Sequence, residues 1–141
     1  MADEGYVLAS LRINAGNLSY QSQPQGFSAD VAGAKGPVPG AITVATTGTN
    51  VDLSELTTPG LCRIANLDET NFVSYGANDP DTDTFYPIGE LLPGESYVLR
   101  LSRNLSAEYG TGTGTIGPDT NTLHFRADTA AVVVLVEAFE I

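Results

Sequence analysis

The sequence predicts an all-β chain: an antiparallel β-sandwich, jelly-roll-like, folded as a single domain over residues 1–141. Three observations carry this. Short runs of alternating apolar and polar residues recur at near-regular spacing, separated by turn signals. Fifteen Gly, eight Pro and abundant Thr favour strands and turns over helices. No stretch of ordinary helix length shows a 3.6-residue period. The length is that of one domain and is enough to bury a core without cross-links. With 42% hydrophobic and 16% charged residues, the chain is globular.

Tyr6 to Ile13 alternates as a first strand, with Val7, Ala9 and Leu11 on one face. Ala15-Gly16-Asn17 is a turn signal, and Leu18 to Gln21 returns. Phe27 to Ala32 is a third short strand. Gly33 to Gly40, with three Gly and two Pro, reads as a loop. Ala41 to Thr46 is β-rich. The segment from Asn50 to Leu56 reads as one helical turn or an irregular stretch anchored by Val51, Leu53 and Leu56.

Pro59-Gly60 precedes a strand from Leu61 to Leu67, and Thr70 to Tyr75 is the next. Between them Asn66 and Asp68 are placed to bond nearby backbone, with Leu67 pointing into the core. Phe85 to Leu91 follows an acidic loop. Leu92-Pro93-Gly94-Glu95 is a turn, and Ser96 to Ser102 a strand. Arg103 to Asn121 is a long Gly/Thr-rich loop of low complexity. Leu123 to Ala127 and Ala130 to Phe139 close the chain as a hairpin about Asp128-Thr129. Both faces of the last strand are apolar, which places it in the sandwich centre or against a partner.

Six Lys+Arg against 17 Asp+Glu give a net charge of −11. Such a surface repels nucleic acid and an anionic membrane leaflet. Cys62 is the single cysteine, so an intramolecular disulfide is excluded. The acidic opening Met-Ala-Asp-Glu does not have the pattern of a secretory leader, and Ala130–Val136 is too short to span a bilayer. Synthesis in a cytoplasm is expected.

Asp79, Asp81 and Asp83 alternate, and Glu90 stands twelfth from Asp79, as in an EF-hand. The sixth place is Thr84, where that loop needs Gly, and the flanks are β-rich. A solvated acidic loop is the stronger reading, with Asp79, Asp81 and Asp83 as a weak Ca²⁺ candidate; no cofactor is expected. His124 is the single histidine, and no Gly-x-Ser-x-Gly accompanies it. It reads as a surface or sheet-edge residue. Cys62 reads as a buried inert thiol. The Gly110–Gly117 repeat lacks the Gly-Lys-Ser/Thr ending of a phosphate-binding loop. No catalytic residue is assigned, and the chain is not expected to be an enzyme.

Four signatures occur in order: Val51-Asp-Leu-Ser-Glu-Leu-Thr-Thr-Pro-Gly60; Ala65-Asn-Leu-Asp-Glu-Thr-Asn71 with Val73 and Gly76; Leu92-Pro-Gly-Glu95 before Val98-Leu-Arg-Leu101; and Leu123–Ala127 followed by Asp128-Thr-Ala-Ala-Val132. From about Val44 onward this order resembles small β-sandwich structural proteins of tailed bacteriophages. The N-terminal third matches loosely, and the Gly-Thr loop is longer than the usual connection.

The resemblance implies a virion protein, foremost a capsid decoration (cement) protein on the outer capsid surface. Its expected partner is the major capsid protein or another virion protein, bound as a homo-oligomer or on the lattice. A neck, tail or vertex-spike protein is the alternative, as is a carbohydrate-binding host-attachment module. Arg100, Arg103, Tyr109 and Arg126 are the interaction candidates. Candidate contact segments are the Met1–Gly5 arm, the Gly33–Gly40 loop and the Arg103–Asn121 loop.

Overall fold

A computed structural model describes residues 4–31, 35–79, 82–102, 105 and 122–141. Among these residues there are twelve strands and no helix. They are β1 (Glu4–Ala9), β2 (Arg12–Ala15), β3 (Leu18–Gln21), β4 (Gln25–Asp30), β5 (Val38–Val44), β6 (Thr49–Asn50), β7 (Pro59–Asn66), β8 (Val73–Asp79), β9 (Thr84–Leu91), β10 (Ser96–Arg100), β11 (Thr122–Ala127) and β12 (Val132–Glu140).

Strands β5 to β12 form two four-stranded antiparallel sheets, in the orders β10-β7-β12-β5 and β6-β11-β8-β9. Their pairings nest: β8 with β9, β7 with β10, β6 with β11 and β5 with β12. That is a long hairpin rolled up on itself, the eight-stranded jelly roll. The expected sandwich is therefore present.

The core lies between the sheets. Val132, Val134, Val136 and Ala138 point inward from β12, and Val44, Ile64, Val73, Leu91 and Phe125 meet them from other strands. The stretch 51–58 is irregular rather than helical. Its Val51, Leu53 and Leu56 are nevertheless buried, as their apolar spacing suggests. The turn at Leu92–Glu95 is type II in character: Pro93 precedes Gly94 at φ 78°, and the Glu95 N–H donates to the Leu92 carbonyl at 3.0 Å.

Several local expectations need correction. The expected hairpin about Asp128-Thr129 is a crossing between sheets, and so is the turn at Asn66–Asn71. β7 and β8 flank the Asn66–Asn71 turn but lie in different sheets, and so do β11 and β12. The reason is the nested pairing: each strand finds its partner far along the chain. The return strand after the Asn66–Asn71 turn starts at Val73. Leu67 is 53% exposed, not in the core, because β7 ends at Asn66 and strand alternation ends with it. Val38–Gly40, expected in a loop, belong to β5 and pair in order with Ala138, Glu137 and Val136. Glu4 and Gly5, expected in a flexible arm, pair with Asp30 and Ala29. The Arg103–Asn121 loop lies outside the described residues except for Leu105.

Residues 4–30 make a separate element. The expected single strand Tyr6–Ile13 is two strands, β1 and β2. β1 pairs with β4, and β2 with β3, antiparallel. Between the two ladders the Ser22 N–H donates to the Leu11 carbonyl at 2.9 Å, and the Leu11 N–H donates to Ser22 Oγ at 2.8 Å. The outgoing side has Ser10 and Leu11 there; the returning side has Ser22, Gln23 and Pro24. One extra residue, next to a proline without N–H, bends the ribbon as a bulge does. Gly16, at φ 57°, opens the two-residue tip turn. The product is one continuous two-stranded ribbon whose strands pack chiefly on each other.

Candidate interaction surfaces

Asn66 and Asp68 organise the crossing between sheets. Asn66 is buried, and its Nδ2 donates to the carbonyls of Asn71 (2.9 Å) and Leu91 (3.1 Å). Its Oδ1 accepts from the Asp68 N–H at 2.9 Å. Asp68 Oδ1 accepts from the N–H groups of Thr70 (2.8 Å) and Asn71 (2.7 Å). Those bonds, that from Asn71 first, hold the Asp68 carboxyl below its usual pKa. Thr129 Oγ1 donates to Asn71 Oδ1 at 2.7 Å and ties in the second crossing. The polar side chains of Asn66, Asp68, Thr70 and Asn71 bond backbone or one another, so their work is structural.

The acidic residues do not form an EF-hand. Asp79 ends β8 opposite Thr84, whereas Glu90 pairs with Ser74 near the far end of the β8–β9 hairpin. Five residues of strand separate those pairs, roughly 17 Å at 3.3 Å per residue. Thr82 Oγ1 donates to Asp79 Oδ2 at 2.9 Å, and Asp83 takes a positive φ of 50° in the turn. Asp81 lies outside the described residues. Among the described residues no group of three His, Cys, Asp or Glu could hold a metal ion.

The interaction candidates fall on different faces. Arg100 pairs with Leu61 on β7 and points away from the core, into an open cleft of about 550 Å³ that Thr57, Thr58, Asp30 and Ile141 also line. Arg126 is on the other sheet, where its guanidinium carbon lies 5.1 Å from the centre of the Phe85 ring. The two arginines do not share a surface. Arg103 and Tyr109 lie outside the described residues.

His124 is buried, not at the surface or on an open edge. The short strand β6 covers one side of β11 and β8 the other. Its Nδ1 lies 2.6 Å from Asn50 Oδ1, an acceptor, so Nδ1 carries the proton. Phe85 packs over the ring at 4.8 Å between centres. Gly48 closes over Nε2: a Cβ there would fall 2.3 Å from that atom, at a φ of 107°. Gly48→Ala is therefore expected to destabilise the fold by about 2 kcal/mol, from left-handed strain and displacement of the ring. Urea unfolding measures this, and unchanged stability would contradict the packing.

Burial first, and Arg126 second, lower the His124 pKa below 6.5, while Asp83 opposes them. A lowered folded-state pKa means that the unfolded chain binds the proton more readily. The contribution of His124 is complete above about pH 6.5 and declines as pH falls toward the folded value. Wild type should lose more melting temperature than His124→Gln between about pH 7 and pH 5. Parallel pH profiles would contradict this.

Cys62 is buried with its thiol pushed up to about 12, chiefly by burial and then by the Glu137 charge. It is a core thiol and not a nucleophile.

A surface not singled out from sequence is the N-terminal ribbon. On its tip Ile13 pairs with Tyr20 and Ala15 with Leu18, all on one face. Arg12, Gln21, Asn14 and Ser19 share the other. The apolar side is uncovered, with Leu18 57% and Tyr20 50% exposed. The signal in the sequence is the alternation on both sides of Gly16-Asn17, in a run from Gly5 to Ala29 whose only charged residue is Arg12. A second uncovered site is β9, at the edge of its sheet, with Tyr86 and Ile88 exposed. Comparison of the chain with protein-family models, curated proteins and solved structures finds no match.

Proposed function

We propose that this chain is a structural protein of a tailed-bacteriophage particle, a decoration protein that binds the outer face of the capsid and stiffens the shell. The observation that carries the reading is a jelly-roll body whose large apolar side chains are left uncovered at its periphery: on the ribbon, and at Tyr86 and Ile88 on the open edge of β9. Uncovered apolar surface of this kind marks a protein contact. A free strand edge offers backbone donors and acceptors to a neighbour. Jelly rolls also occur in viral capsid proteins, which adds fold-level analogy alone. The order of turn and core signatures from Val51 to Val132 is the remaining support.

In this reading, each copy bridges neighbouring capsid subunits. Single contacts are modest, and repetition over the lattice makes the total large. A protein that binds only the mature shell stabilises that state by linkage. Quantitative mass spectrometry of purified particles tests the assignment. Copies in the hundreds support decoration. About a dozen or fewer would place the chain at a neck, tail or vertex, where symmetry permits no more. None would end the reading.

A further inference from the structure

We propose that the chain self-associates by laying its N-terminal ribbon across the outer face of the β10-β7-β12-β5 sheet of a second copy. The ribbon needs a cover. A two-stranded ribbon alone in water is marginal. This one extends roughly 35 Å, at about 3.3 Å per residue over residues 4–15. Its tip is amphipathic, with Ile13, Ala15, Leu18 and Tyr20 on one side and no layer of its own chain described over them.

The same molecule carries a matching face. Cross-strand register places Val98, Arg63 and Glu137 together on the side of the sheet away from the core. Ala65, Leu135 and Ala41 follow in the next row, and Val133 with Thr43 after them. Val98 and Val133 are exposed. Arg63 and Glu137 neutralise each other at 2.7 Å. At one end of the face, an apolar groove of about 280 Å³ opens between the ribbon root and Leu61, Val98 and Phe139. The face is therefore continuous with the ribbon of its own copy.

Charge selects a second copy as the occupant. The chain carries −11 overall, yet residues 5–29 contain one charge, that of Arg12. The rows of the sheet face contain one carboxylate, Glu137, and it is paired. Copies that meet through their acidic surfaces are opposed by like charges. Ribbon against sheet face joins apolar surface and avoids that repulsion. The ribbon and the face are different patches, so the contact builds a reciprocal pair, a ring or an open chain according to the rotation between copies.

This self-association goes beyond the virion reading, leaves the open β9 edge for the virion contact and is tested on the isolated chain, so either can fail alone. Sedimentation velocity should show wild type associating at concentrations well above micromolar. A ribbon variant with Ile13→Ser, Leu18→Ser and Tyr20→Ser should associate about 100-fold more weakly or not at all. Its melting temperature should stay near that of wild type, because the tip does not touch the core. A face variant with Val98→Glu and Val133→Glu should also be monomeric. Mixing the two variants should restore a heterodimer, since one supplies an intact ribbon and the other an intact face. A monomeric wild type overturns the proposal. So does association that survives the ribbon substitutions, or a mixture that stays monomeric.

Discussion

Phe125→Ala should lower the unfolding free energy by about 4 kcal/mol, the range for a large core aromatic cut to a methyl group. Phe125 is fully buried on β11 and faces the inward valines of β12 across the sandwich. Tyr75, its cross-strand neighbour on β8, sits 6.4 Å away between ring centres and tilted by 48°. Strands from both sheets surround the ring, so the space it leaves cannot collapse without moving backbone. At 2–4 °C per kcal/mol for a chain of this size, the melting temperature should fall by about 12 °C. Differential scanning calorimetry reads it. A drop of less than about 3 °C would mean that the sheets do not close on this residue.

Asn66→Ala should cost about 3 kcal/mol for a different reason. The side chain fills the last core position of β7 and makes three bonds to backbone, at Asn71, Leu91 and Asp68. Leu91 is at the end of β9 in the opposite sheet, so this amide joins the two layers. Alanine would leave the Leu91 carbonyl buried without that donor, and loss of a buried partner costs more than a bond is worth on average. Asn66→Asp should be worse than alanine, because it removes the amide donor and introduces a charge into the same buried place. Equilibrium urea unfolding of the two variants tests the ordering. An aspartate variant as stable as wild type would contradict the bonding scheme.

Much of the architecture was legible because it is local. Val132, Val134 and Val136 repeat with period two and face the core as that period requires. Leu92-Pro93-Gly94-Glu95 forms the turn its residues encode, and Val51, Leu53 and Leu56 anchor as their spacing implies. What sequence reading missed is non-local. β7–β8 and β11–β12 look like hairpins, since short polar turns join them. Their partners are chosen by the nested roll, in which β5 pairs with β12 from the far end of the domain. His124 looked like an edge residue because its covers, Gly48 and Phe85, are distant in sequence.

The candidate contact residues were less legible than the fold. Arginines were singled out for charge, yet Arg126 stacks on Phe85 within its own chain. The uncovered apolar surface sits instead on a stretch with almost no charge. Composition averaged over 141 residues conceals that stretch, because its neutrality shows only against the acidity of the remainder.

We propose that the exposed apolar surface of the rolled β body binds other proteins of a particle. Electron cryomicroscopy of particles assembled with and without this chain tests that most directly, combined with their rupture temperatures. Particles lacking it should lose jelly-roll-sized density from the outer capsid surface and rupture at a lower temperature. Particles identical in density and in rupture temperature would contradict it.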